Sequence, residues 1–234
     1  GYLSLFEWTY LILFGLALLV IMVVVYAPFL FSFQSQLNGI LPNILYPTRP
    51  QQLLVMFVPF ILLIGAYLVV ETRRGIWAKR MNWGLGITAS VSIIIFLVLA
   101  MVLLVDIALK SPDGSSIKAT INDFIVSNGG FDAVRDQLVA RRLDTRTTPL
   151  FLGLILALVV ARLFPRFWRK SATPDTGRIT YSPSTGLVLL LLGAGTGLIL
   201  IPEFLYLRDN FGWRMNTVFK FYYQSWVMFS IVGA

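Results

Sequence analysis

The segment from Trp83 to Ala108 restricts this chain more than any other. It is nearly uninterrupted apolar sequence from Val91 to Val105, and Asp106 falls at its far end. A run of that length without a polar face is the signature of a membrane-spanning helix, because a helix satisfies its own backbone hydrogen bonds in lipid. Five further blocks read the same way. They are Tyr10–Phe31, Gln52–Val70, Pro149–Phe164 (reaching to about Trp168), Ser184–Leu207, and a run that starts at Asn216 and is cut at Ala234. Composition agrees: 57% of the 234 residues are hydrophobic and 13% charged, whereas soluble domains lie near half and roughly a quarter. The expected fold is all-α, a polytopic membrane protein of about six transmembrane helices forming one domain over 1–234. The chain opens on Gly1 and stops inside an apolar run, so it reads as a fragment of a longer polypeptide.

Two absences narrow the chemistry. With no cysteine there is no disulfide framework and no thiolate metal site. With no histidine, imidazole is removed from catalysis, metal binding and pH sensing near neutrality. A general base must then be Asp, Glu, Tyr or Lys. The net charge of +8 would suggest nucleic acid in a soluble protein; in this one the expected partners are membrane lipids with anionic headgroups or phosphates, and no nucleic acid.

The connections carry most of the polar residues. Phe33–Pro50 is turn-rich, with Asn38-Gly39, Pro42, Pro47 and Pro50, and has Arg49 as its only charge. Pro59 is expected to kink the second span. Glu71–Asn82 is read as a loop bearing Arg73, Arg74, Lys79 and Arg80, and the loop after the fourth span bears Arg166, Arg169, Lys170 and Arg178. Arg162 is expected to snorkel. The long polar insert 110–148 is expected to form two amphipathic helices, Ile117–Val126 and Phe131–Leu143, split by Asn128-Gly129-Gly130 and lying on the membrane surface over the span ends. Phe131, Val134, Leu138 and Leu143 form a partial apolar stripe, with Arg135, Arg141, Arg142 and Arg146 on or beside the other face, read as a solvated or headgroup-facing surface. In the fifth span, Gly193 and Gly197 form a small-xxx-small pair suited to close helix packing. Six alternating spans put 34–50, 109–148 and 208–215 on one face. The two short, densely basic loops share the other and are placed in the cytoplasm, which makes the first three extracytoplasmic.

Pro202–Trp226 is the densest polar and aromatic cluster at a membrane boundary. Glu203 and Tyr206 are three apart and are expected to share a helical face. Arg208, Asp209 and Arg214 occupy the next connection. Asn216 is the expected N-cap of the following helix, on which Thr217, Lys220 and Gln224 form one stripe with Tyr222 and Tyr223 close by. A lysine about one turn inside a span needs a partner or a wet cavity. Three cations, two carboxylates and several rings together suit an anionic phosphate joined to a lipid or sugar. Glu203 and Asp209 are the candidate catalytic carboxylates, able to deprotonate an acceptor hydroxyl or to hold a divalent cation. Substrate contacts are assigned to Arg49, Tyr206, Arg208, Arg214, Asn216, Lys220, Tyr222, Tyr223 and Gln224. Singly, each aromatic also fits an interfacial anchor and each ion pair a structural clasp.

The run EFLYLRDNFGWRMNTVFKFYYQSW resembles the signature of the "YYY" family, integral membrane proteins of bacteria and archaea that carry a domain of unknown function. The family's tyrosine triplet reads Phe221-Tyr222-Tyr223 here, so its first hydroxyl is absent. The upstream stretch APFLFSFQSQLNGILPNILYPTRPQQLL resembles the family in its Pro-Phe, Phe-Gln-Ser and Thr-Arg-Pro elements. That family is similar to the C-type glycosyltransferases (GT-C), polytopic enzymes that use lipid-phosphate-linked sugars outside the cytoplasm. The resemblance implies a polyprenyl-phosphate sugar donor, with Arg49, Arg208, Arg214 and Lys220 at its phosphate. It also implies a catalytic acid in an early external loop that this chain does not contain. The alternatives are a non-enzymatic scaffold subunit of a larger membrane complex and, third, a transporter using Lys220 and Glu203.

Overall fold

The computed structural model describes residues 5–32, 39–77, 81–165, 181–208 and 214–233. Contacts divide the chain into two units, Gly1–Asn38 and Gly39–Ala234. The first holds one helix, α1 (Leu5–Ser32), whose stretch Leu13–Ala27 is apolar throughout.

The second unit is a bundle of α2 (Pro50–Trp77), α3 (Trp83–Lys110), α6 (Thr147–Leu163), α7 (Pro183–Leu200) and α8 (Met215–Gly233), with two short helices, α4 (Ser116–Ser127) and α5 (Phe131–Asp144), between α3 and α6. Helix starts follow local chemistry. The side chain of Asn82 accepts from the Leu85 amide and caps α3, and Ser182 does the same for α7 through Thr185. α4 and α5 part at Gly129 and Gly130, both at positive φ, which suits glycine.

Three helices, α2, α3 and the stretch Pro183–Glu203, are long and apolar enough to cross a membrane. A fourth crossing exists if α5 and α6, bent by 53° at their junction, act as one broken span. The expected six are therefore not reached on length and apolarity alone. α6 has 17 residues, about 25 Å at 1.5 Å per residue against a hydrocarbon core of about 30 Å. α8 is interrupted by the polar residues of Asn216–Gln224.

α6 sits between α3 and α7 and is buried on both flanks. Gly86 of α3 lies directly against the Ala157 carbonyl, so a side chain there would have no room, and the Ser90 hydroxyl donates to the Gly153 carbonyl at 2.7 Å. On α7 the close approach to α8 occurs at Gly195, where an added Cβ would sit 2.5 Å from the Phe229 ring and whose carbonyl accepts from Ser225 at 2.9 Å. The expected Gly193/Gly197 pair does not make it: Gly193 faces Val159 of α6, and Gly197 meets nothing within 4 Å.

Four other expectations are corrected. α2 runs unbroken through Pro59 and on to Trp77, so Glu71 to Trp77 is helix and not loop. The fifth span ends at Leu200, gives one 3₁₀ turn (Ile201–Glu203), and becomes a strand, β2 (Leu205–Leu207); Pro202 has no N–H to continue the helix. β2 pairs antiparallel with β1 (Ile40–Pro42), matching Leu41 with Tyr206. Glu203 and Tyr206 thus share no helical face. On α5, Val134 is buried, but Phe131 and Leu143 are exposed.

Candidate functional site

One end of the bundle gathers 39–49, α4, α5, β2 and the start of α8 into a single knot. The Asn43 side chain binds main chain: its Nδ2 donates to the carbonyls of Pro202 (2.8 Å) and Glu203 (3.3 Å), and its backbone N–H donates to the Phe204 carbonyl (2.7 Å). The Thr148 hydroxyl, at the start of α6, donates to the Thr48 carbonyl at 2.9 Å. Thr217 in the first turn of α8 accepts from the Leu207 amide at 2.9 Å. These contacts show directly that the connections before α2, between α3 and α6, and after α7 lie together.

The arginines of α5 complete the knot, and the sequence reading missed them. Arg142 donates to the carbonyls of Glu203 (2.7 Å) and Asn43, and its guanidinium lies 5.2 Å from the centroid of the Phe204 ring. Arg141 donates to the Leu45 carbonyl at 2.7 Å and lies over Tyr46. Neither is a free solvated charge. The signal was present in the spacing: Val134, Leu138, Arg141, Arg142 and Thr145 follow one helical stripe, and Val134 and Thr145 are buried. Both guanidinium groups give charge-assisted bonds to backbone carbonyls.

Beside the knot is a cleft of about 800 Å³. Its wall carries Arg49, Arg141 and Arg214, the rings of Tyr46 and Tyr206, and Gln52. No carboxylate lines it among the described residues. Arg49 is exposed and has no ion-pair partner among the described residues. Burial raises the Tyr206 phenol above its ordinary value near 10, Tyr46 adds to the shift, and Arg208 opposes it. At the edge of the same end, Lys118 bonds to the fully exposed Asp113 at 2.6 Å and lowers its carboxyl.

Glu203 lies behind this wall and is fully enclosed, at 0% exposure. Its Oε2 accepts from the Thr48 amide at 2.9 Å, while Oε1 has no partner among the described residues. Five other buried side-chain atoms share that condition among the described residues; Nη1 of Arg214 and Nε of Arg142 lie in this neighbourhood, while Nη1 of Arg162 and the Tyr67 hydroxyl lie near Glu71. Arg142, Arg214, Glu203 and Tyr222 are near enough to one another to interact electrostatically. Tyr222 is buried, with its hydroxyl 3.4 Å from Thr48 Oγ1 and its ring 5.3 Å from that of Phe57. Buried polar atoms are nearly always bonded, and leaving one unpaired costs about 1–3 kcal/mol. Three of the six such atoms among the described residues fall in this neighbourhood.

The other expected residues lie elsewhere. Arg208 reaches the Ser116 hydroxyl of α4 at 3.1 Å, away from the cleft, while its backbone amide bonds Gly39. α8 begins at Met215, so half-buried Asn216 sits inside the first turn and not at the cap; the Arg214 carbonyl accepts the first helical bond, from Val218. Lys220, Tyr223 and Gln224 are exposed on α8, whereas Thr217, Tyr222, Ser225 and Phe229 are buried. Tyr223 stacks on Phe219 there. Asp209 and Trp213 lie outside the described residues, as do Lys79, Arg80, Arg166, Arg169, Lys170 and Arg178. The catalytic role expected of Glu203 conflicts with its enclosure: no surface of its carboxyl reaches the cleft, so it can position but not touch a bound molecule. No group of three or more metal-ligating side chains occurs among the described residues.

A family model described as "Uncharacterized membrane protein (DUF2298)" matches residues 4–229. The chain belongs to this family. The match takes in both units, the whole knot and the cleft, so all of the geometry described above belongs to the family's own domain. No curated protein and no solved structure matches the chain. Membership therefore brings a membrane location and no assigned reaction.

At the opposite end of the bundle, Glu71 (3% exposed) and Arg162 (7%) form a buried ion pair, Nη2 to Oε1 at 2.6 Å and Nε to Oε1 at 2.8 Å. Arg74 adds a longer contact to the other oxygen at 3.6 Å. Arg162 also stacks on the Tyr181 ring at 5.2 Å. It does not snorkel to the surface, because a carboxylate on the neighbouring helix is nearer than water.

Proposed function

We propose that the cleft binds a polyprenyl-phosphate-linked sugar, and that the protein serves glycosyl transfer of the GT-C kind on the extracytoplasmic side of a prokaryotic membrane. The observation that carries this reading is the wall of the 800 Å³ cleft, where three guanidinium groups stand beside two tyrosine rings at the end of an apolar bundle. Arginine forks match phosphate oxygens, rings stack on sugar faces, and the volume falls in the range of ligand sites. In this reading Arg49, Arg141 and Arg214 hold the phosphate, Tyr46 and Tyr206 the sugar, and Asp209 supplies the carboxylate toward the acceptor. Glu203 is a positioning residue: its carboxyl holds the Thr48 amide and lies among the charges of Arg142 and Arg214. α1, α6 and α8 cross the membrane with α2, α3 and α7, giving six spans. The central place of α6 in the bundle supports its crossing.

The test is retention of undecaprenyl phosphate by the purified protein. Arg49→Ala and Arg214→Ala should each weaken it about tenfold or more, the effect of one charge-assisted contact. Lys220→Ala, at an exposed position of α8, should leave it unchanged. Undiminished retention in both arginine variants sinks the reading.

The second reading, a scaffold subunit, is favoured by the apolar residues Val126, Phe131, Val139 and Leu143, exposed on α4 and α5. It expects the cleft to be closed by a partner and to retain no lipid.

A further inference from the structure

A second cavity, about 460 Å³, runs along α2 between α6, α7 and α8. Its lining begins at Leu53 and Phe57, passes Ile64 and Gly65, and ends at Thr72 and Arg73. From Leu53 to Arg73 is twenty residues of one helix, about 30 Å at 1.5 Å per residue, which matches the thickness of a bilayer's hydrocarbon core. The groove is apolar along this length. Its one internal hydroxyl, Thr196, is buried and already donates to the Leu192 carbonyl at 2.7 Å. Polar chemistry facing the groove is thus confined to its end at Thr72 and Arg73.

Arg73 differs from the arginines around it. Arg74 and Arg162 both pair with Glu71. Arg73 is exposed and has no ion-pair partner among the described residues. An unmatched guanidinium at headgroup depth, closing a bilayer-length apolar groove, is complementary to one kind of molecule: a chain of hydrocarbon ending in an anionic phosphate. Gly65 keeps the wall low midway, since nothing lies within 4 Å of the position a Cβ would take.

We propose that this groove is a site for an anionic phospholipid, one acyl chain lying along α2 and the phosphate on Arg73. Its phosphate end at Arg73 lies at the opposite end of the bundle from the Arg49–Arg214 cleft, and the two share no lining residue.

The test uses the purified full chain exchanged into phosphatidylglycerol or phosphatidylcholine, with retained lipid counted by native mass spectrometry. The wild type should retain phosphatidylglycerol roughly fivefold over phosphatidylcholine, the preference that one arginine at an anionic headgroup gives. Arg73→Gln should remove the preference while the chain still binds. Gly65→Leu, a substitution of a good helix former into open space, should cut retention of both lipids. Arg49→Ala should leave the preference intact. Equal retention of the two lipids by the wild type overturns the proposal, and so does unchanged retention in Gly65→Leu. A preference lost in Arg49→Ala and kept in Arg73→Gln would assign the lipid to the other cleft and overturn it too.

Discussion

The two ends of the bundle each bury a glutamate, and they treat it differently. Glu71 is met by Arg162 from the neighbouring helix at 2.6 Å and by Arg74 at longer range, so its charge is matched within the structure. Glu203 is more deeply enclosed and has no cation in ion-pair contact among the described residues. One oxygen accepts a backbone amide, the other has no partner, and the nearby Arg142 spends its donors on main-chain carbonyls. The ion pair fastens α2 to α6, although Nη1 of Arg162 has no hydrogen-bond partner among the described residues. The polar cluster around Glu203 is left incomplete among the described residues, behind a basic cleft that its carboxyl does not reach. Burial of a charged residue type is therefore no guide to function by itself.

Placing the same substitution at both positions tests this difference. Glu71→Gln should be the more damaging, because it strands Arg162 in a buried position; the expected loss is about 3 kcal/mol, at the lower end for a broken buried pair. Thermal unfolding in detergent would read it. The double variant Glu71→Leu, Arg162→Met should recover most of that loss, since replacing a whole buried pair with apolar residues is often nearly neutral. Failure to recover would mean that the pair does more than fasten two helices.

Glu203→Gln should cost less, about 1 kcal/mol, because the amide oxygen still accepts from Thr48 and no ion pair is broken. A loss equal to that of Glu71→Gln would break the comparison and show that Glu203 is fully compensated by its neighbours.

The smallest effect concerns pH at the cleft. Burial raises the Tyr206 phenol, so its neutral form is favoured in the folded state. The corresponding stability is fully present below the unfolded value near 10 and is lost as pH rises through the raised folded value. Phenolate absorbance compared between wild type and Tyr206→Phe should show one late-titrating group missing in the variant. Ordinary titration of that group would place Tyr206 in open solvent.

Much of the architecture was legible because long apolar blocks admit one solution in lipid. The helices near Trp83–Ala108, Gln52–Val70 and Ser184–Leu207 were placed by that argument, and alternation of direction brought Arg49, the 110–148 insert and Arg208–Arg214 to one end. The glycine break at 129–130 was legible from backbone freedom. The site was legible in part. Arg49, Tyr206 and Arg214 do line one cleft. The rotation of α8 was not: Thr217, Lys220 and Gln224 form one stripe by spacing, yet Thr217 is buried while Lys220 and Gln224 are exposed. Lys220 therefore looked as well placed as Thr217.

By itself the sequence determined that this chain is helical, belongs to the membrane, and brings Arg49, the 110–148 insert and Arg208–Arg214 to one end. Those are consequences of composition and of order along the chain, and they need no knowledge of what packs on what. Tertiary structure alone decided which charges are clasps and which are open. Glu71 and Arg162 are 91 residues apart, Arg142 reaches Asn43 across 99, and Glu203 meets Thr48 across 155. Pairings over such separations depend on helix rotation, and nothing local in the sequence encodes it.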